Sequence, residues 1–242
     1  MDAQTTQRLV ELNNEFYRAN ARSFSDTRQY AWGGWEQLAR ALPHRPQRVL
    51  DVACGNMRFK KFLDETYGAG TFEYRGVDAC DELVPASCRN EYEHIDILES
   101  PEALRARYGS QYDLVACFGF MHHIPATADR LHLVDALADV LAPQGCVCIS
   151  FWQFGRDDKL RKKALESTLR GSLELGLELE RGDCLLGWKD KPSTYRYCHD
   201  FTDAEIDAIA AHASCRVRQL QRFRADGKSG DLNTYLVLQK LG

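Results

Sequence analysis

No stretch of this chain is apolar for long enough to span a bilayer, and the opening MDAQTTQRLVEL lacks the apolar run of a secretory leader. The expectation is a cytoplasmic chain with no membrane contact. Paired C-x-x-C spacing is also missing: the nine cysteines are scattered singly. That argues against a disulfide framework and against a zinc site, and for reduced thiols and no bound metal. Cys146 and Cys148 alternate with Val147 and Ile149 as small apolar filler of a strand. A basic excess is missing too, the formal net charge being −4, so composition does not mark a nucleic-acid binder. Two local basic runs, 159–163 and 216–228, read first as solvated faces. There are no repeats or low-complexity tracts. What remains is 242 residues of ordinary composition, long enough for one α/β domain with its own core.

Phosphate-binding loops are absent as well. VLDVACGNMRF (49–59) is an apolar strand, a turn and the start of a helix, but its turn holds the single glycine Gly55. Neither G-x-G-x-x-G nor G-K-[ST] is present, so bare backbone is not laid out for a pyrophosphate. Asp51 precedes the turn, and Asp78 ends a second strand (Tyr74 to Val77), where a carboxylate can accept both hydroxyls of a ribose. Asp96 ends a third strand (YEHIDI, 92–97) and is placed to take an adenine amino group, with the backbone N–H of Ile97 beside it. An adenosine without phosphates, carrying a zwitterionic and positively charged tail, fits this pattern: S-adenosylmethionine.

On these residues, together with YDLVACFGFMHHI (112–124), the chain resembles the class I S-adenosylmethionine-dependent methyltransferases. The resemblance implies an α/β, Rossmann-like, seven-stranded mixed sheet with the last strand antiparallel and helices on both faces. It assigns to the cofactor Asp51, Ala53, Gly55, Asn56, Asp78, Ala79, Asp96, Ile97, Phe118 and Gly119. The first loop departs from the family's G-x-G-x-G at Ala53 and Met57, and Met57 is expected to set a flexible side chain beside the methionine tail of the cofactor.

Residues 1–46 read as an N-terminal helical cap, with Leu9, Leu12 and Phe16 on one stripe and a second helix from Trp32 to Leu42. Between them, Tyr17 and Arg28 are candidates to reach the cofactor, Arg28 as a fork for its carboxylate. Residues 47–242 form the sheet domain, with an insertion after the fifth strand at about 156–194 that is expected to cover the active-site face. Within it LELGLELE (173–180) fits a strand or a continuing helix equally. Thr202 and Glu205 form a capping box, and Cys215–Phe223 and Asn233–Leu238 close the sheet as a hairpin.

A narrower resemblance joins FSDTRQYAW (24–32), FMHHIPATADR (120–130), GDCLLGW (182–188), YRYCHDF (195–201) and LNTYLVL (232–238). Together they look like the tRNA wobble-uridine methyltransferases, which esterify a carboxymethyl group. It implies tRNA as substrate and a small activating subunit as partner. A carboxylate acceptor needs orientation more than a base, and positioning alone lowers such a barrier by roughly 7–11 kcal/mol. Arg196 is the candidate clamp, with Tyr197 as hydroxyl partner. A neutral acceptor would instead use His122 or His199 as base. A small-molecule O- or N-methyltransferase and a non-catalytic cofactor- or partner-binding module are the competing readings.

Overall fold

The computed structural model describes residues 1–188 and 191–241; Lys189 and Asp190, within the expected insertion, lie outside them, as does Gly242. The apolar runs become the inner strands. β1 (Arg48–Val52) is buried from its second residue on and pairs in parallel with β2 (Glu73–Asp78) and β4 (Tyr112–Cys117). β3 (Tyr92–His94) adds in parallel to β2, and β5 (Leu141–Trp152) to β4. β9 (Asn233–Lys240) runs antiparallel to β5 and to β8 (Val217–Ala225), which gives the order β3-β2-β1-β4-β5-β9-β8. The order reverses between β1 and β4, and the carboxyl ends of strands at such a point open a ligand crevice.

Helices cover both faces of the sheet. α2 (Gly33–Ala41) and α3 (Arg58–Tyr67) bury Trp35, Leu38, Phe59, Phe62 and Leu63 on one face. On the other, α4 (Ala103–Tyr108), α5 (Thr127–Asp139) and α7 (Asp203–Ala213) pack Leu104, Leu133, Leu137 and Ile206 against β4, β5 and β9. α7 carries the expected capping box of Thr202 and Glu205.

α1 (Ala3–Asp26) starts at Asp2, whose carboxylate accepts the Thr5 N–H at 2.9 Å. Its buried face alternates Leu9 and Phe16 with Asn13 and Asn20. The asparagines are there because they bond to another chain segment. Asn13 Oδ1 accepts the Tyr197 N–H (2.8 Å) and Asn13 Nδ2 donates to Tyr197 O (3.2 Å), which fastens α1 to β7 (Lys191–His199). β7 pairs antiparallel with β6 (Asp183–Trp188) as a separate two-stranded sheet, and α6 (Asp158–Leu175) packs on it.

Two local expectations change, and one turn falls inside a strand. The third strand stops at His94, not Ile97, because Asp96 Oδ1 accepts the Leu98 N–H (3.1 Å) and turns the chain. Of the ambiguous 173–180 segment only the first three residues continue α6, which Gly176 closes at φ +62°; residues 177–180 are neither helix nor strand. Pro143–Gln144–Gly145 lies inside β5, where Gln144 takes φ +64° beside a break in register with β4.

Candidate active site

A cavity of about 850 Å³ opens at the carboxyl ends of β1, β2 and β4 and runs under α1 to β7. Its floor is the turn after β1. Ala53 and Gly55 have φ of +59° and +53°, and Met57 follows at +60°. A β-carbon at Gly55 would meet no atom within 4 Å, so this backbone stands open. Met57 does not extend into the cavity, contrary to expectation. It is buried in the core under β2, and a β-carbon on Gly76 would fall 2.7 Å from its Sδ. The missing side chain at Gly76 is what lets Met57 turn inward.

Asp51, Ala53, Gly55, Asn56, Asp78, Ala79, Asp96, Ile97, Phe118 and Gly119 all line this cavity. Asp78 Oδ2 accepts the Gly55 N–H (2.8 Å) and Oδ1 the Cys80 N–H (2.9 Å), so one carboxylate ties the β1 turn to the end of β2. Asn56 Nδ2 donates to Arg28 O (2.9 Å), which holds the segment after α1 over the turn. Asp51 accepts the Tyr74 hydroxyl at 2.5 Å; burial pushes its carboxyl up to about 7 against the pull of that bond, with the neighbouring Asp78 charge adding to the rise.

At the inner end, the buried Arg196 and His122 face the cavity. Arg196 Nη1 donates to the Tyr17 hydroxyl (3.3 Å), and the guanidinium lies 5.5–5.8 Å from the rings of Phe16, Phe24, Trp152 and Trp188. The Arg196 Nε and the His122 Nδ1 have no hydrogen-bond partner among the described residues. Arg28 lies over the Phe24 ring at 3.4 Å, and burial together with Arg196 lowers its guanidinium to about 10. Two cations thus share one wall. Burial and the nearby His123, Arg196 and Arg28 hold His122 well below the usual imidazole range, so it is neutral at physiological pH.

Tyr17 lines the cavity, but its hydroxyl is engaged by His123 Nε2 at 2.7 Å as well as by Arg196, and burial raises it to about 12. His123 Nδ1 lies 3.0 Å from Tyr197 O. His122, His123 and Cys198 bring their ligand atoms within 4.8 Å of one another. With both His123 nitrogens occupied and Arg196 alongside, that cluster is unsuited to a cation.

Two sequence candidates lie elsewhere. Tyr197 and His199 do not line the cavity. The Tyr197 hydroxyl donates to Asp183 (2.6 Å) and accepts from Arg130 (3.1 Å), and His199 bridges Asp183 (2.7 Å) and Glu205 (2.8 Å). They fasten β7 to β6 and α7, a structural network. Conversely, Trp152 and Asn13 line the site without having been singled out by the sequence. Asn13 had one readable signal, a polar residue within the apolar stripe of Leu9 and Phe16.

A family model described as a methyltransferase domain matches residues 24–214. The chain belongs to that family. Among its relatives is a ubiquinone biosynthesis O-methyltransferase of Psychrobacter cryohalolentis, 29% identical over 177 residues, 69% of this chain; the match spans 58% of that relative's length. A putative methyltransferase of Encephalitozoon cuniculi is 28% identical over 189 residues, 77% of this chain and 78% of the relative. Among solved structures, the Burkholderia thailandensis 1,6-didemethyltoxoflavin-N1-methyltransferase, with its substrate and S-adenosylhomocysteine bound, superposes with a TM-score of 0.64 at 15% identity. It covers 100% of this chain and 92% of that one. A SAM-dependent methyltransferase of Methanosarcina mazei gives 0.63 at 16% identity, covering 84% and 97%. This methyltransferase therefore has the S-adenosylmethionine-dependent fold, and S-adenosylmethionine is the cofactor of that fold. Among the described residues, no helix is long and apolar enough to cross a membrane.

Proposed function

We propose that this methyltransferase O-methylates a small molecule whose accepting oxygen is ionised, held at the inner end of the cavity. The observation that carries the reading is Arg196, a buried guanidinium facing the cavity with its Nε unpartnered among the described residues. A charge placed there is costly unless an anion meets it. His122 argues the same way. Its depressed basicity makes it a poor proton acceptor, so it suits orienting an oxygen already ionised more than deprotonating an alcohol or amine.

The open β1 turn and the Asp78 and Asp96 carboxylates suit the adenosine of S-adenosylmethionine, and the destabilised carboxylate of Asp51 suits its cationic tail. When bound, S-adenosylmethionine supplies an electrophilic methyl group on a sulfonium. Arg196 orients the acceptor anion, while Trp152 and the rings around Arg196 exclude water from it. The small-molecule O-methyltransferases among the relatives support this acceptor class.

A second reading is a carboxymethylated wobble uridine in tRNA, favoured by Tyr30. This residue is 86% exposed and lines the cavity, as do Arg18 and Arg28, an arrangement that suits stacking on a base beside phosphates. The two are separated by incubating the purified protein with isotopically labelled S-adenosylmethionine and, separately, a metabolite extract and bulk tRNA. Label in small acids carries the first reading, label in tRNA nucleosides the second; label in neither sinks both.

A further inference from the structure

The outward face of α6 carries Leu165, Leu169 and Leu173, exposed to 60%, 69% and 85%. Four-residue spacing sets them on one stripe. The opposite face of the helix, with Ala164, Ser167 and Gly171, is already buried on the β6–β7 side. The stripe is therefore not part of the core of this chain. Single exposed leucines are ordinary, but three in line on one helix mark a contact surface.

The flanking charges say what covers it. Glu166 and Arg170 are exposed on the same flank of the stripe, and the Arg170 Nε is anchored on the Tyr195 hydroxyl at 3.1 Å. In a two-fold, antiparallel pairing of two α6 helices centred on Leu169, each Leu165 meets Leu173 of the other copy. Equal flanks then face each other with reversed direction, so Glu166 of each copy comes beside Arg170 of the other, twice. A parallel pairing sets this flank against the opposite one, where Arg161 is the charged residue, and also aligns the helix dipoles unfavourably. We infer that α6 is the contact face of a homodimer in which two copies of this chain pack antiparallel through Leu165, Leu169 and Leu173. The contact is isologous, as closed two-fold dimers require. Three leucines a side make a small core, so the dimer is reversible. The inference is independent of what the acceptor is.

Sedimentation velocity over a hundredfold range of protein concentration tests it. The wild-type chain should move from monomer toward dimer mass as concentration rises. Leu169→Glu should stay monomeric throughout with an unchanged melting temperature, because the side chain it replaces is in solvent. Glu166→Arg should weaken association about tenfold by setting like charges together, and Glu166→Arg with Arg170→Glu should restore it. A wild-type chain that remains monomeric overturns the inference, and so does a dimer that survives Leu169→Glu. A double variant that fails to restore association overturns the antiparallel geometry.

Discussion

At the sheet edge of the cavity, Asp78 accepts the N–H groups of Gly55 and Cys80, and Asp96 accepts that of Leu98. At the inner end, Arg196 and His122 are more deeply buried than these partly buried carboxylates, yet each keeps a nitrogen with no partner among the described residues. The first end is organised by the chain itself, its carboxylates fixing the turns around them. The second carries a cost, about 1–3 kcal/mol for each buried polar atom left unbonded, which a ligand with matching groups removes. Fixed geometry suits a ligand common to a whole fold, whereas unfilled bonding capacity suits the acceptor that distinguishes one enzyme from another.

The comparison breaks most sharply at Arg196. Arg196→Met should lower methyl transfer about 100-fold, the equivalent of losing a charged hydrogen bond in the site, while calorimetry finds S-adenosylmethionine binding within about threefold of wild type. A parallel fall in cofactor binding would mean that the two ends do not act separately. Asp78→Asn tests the other end. It should weaken cofactor binding about 30-fold and lower the melting temperature, since the amide cannot accept at both positions where the carboxylate does.

Asp51 gives a smaller, pH-dependent effect. Its carboxyl, raised to about 7 by burial, is protonated in the folded chain at acidic pH, and a sulfonium cation prefers the ionised form. Cofactor affinity should therefore tighten about tenfold between pH 6 and pH 8, and Asp51→Asn should flatten the profile. Stability runs in the opposite direction. The folded chain holds a proton that the unfolded chain releases near the ordinary carboxylate pKa of about 4, so this group makes the cofactor-free protein less stable as pH rises from about 4 to 7. The smallest effect is expected at Ala53, whose φ of +59° is unfavourable for any side chain. Ala53→Gly should stabilise the fold by about 1 kcal/mol in urea titration and leave the inner end unaffected.

Much of the sheet edge was legible because it is local. An apolar run that ends in a turn recurs at 49–55, 74–78 and 112–119, with a carboxylate near the end of the first two (Asp51 and Asp78), and each piece is read within a dozen residues. The inner end is not local. It needs α1, the segment after β4 and β7, which come together only through contacts such as Asn13 with Tyr197, 184 positions apart. Side chains along a strand alternate between faces, so Arg196 and Tyr197 cannot both point into one site. The sequence names the pair; only the packing of β7 decides that Arg196 faces the cavity and that Tyr197, with His199 two residues on, faces Asp183. The β6–β7 hairpin was hidden for the same reason, its supports being the distant α1 and α6.

Gly76 has a consequence for the loop that floors the cavity. Because the thioether of Met57 and the thiol of Cys54 occupy the volume beside its α-carbon, the turn after β1 and position 76 of β2 are sterically coupled. A bulkier residue at 76 forces the Met57 and Cys54 side chains to shift, and glycine at 57 hollows the same spot unless 76 grows. The departure from a glycine-rich loop at Met57 is thus accommodated by the absence of a side chain at Gly76.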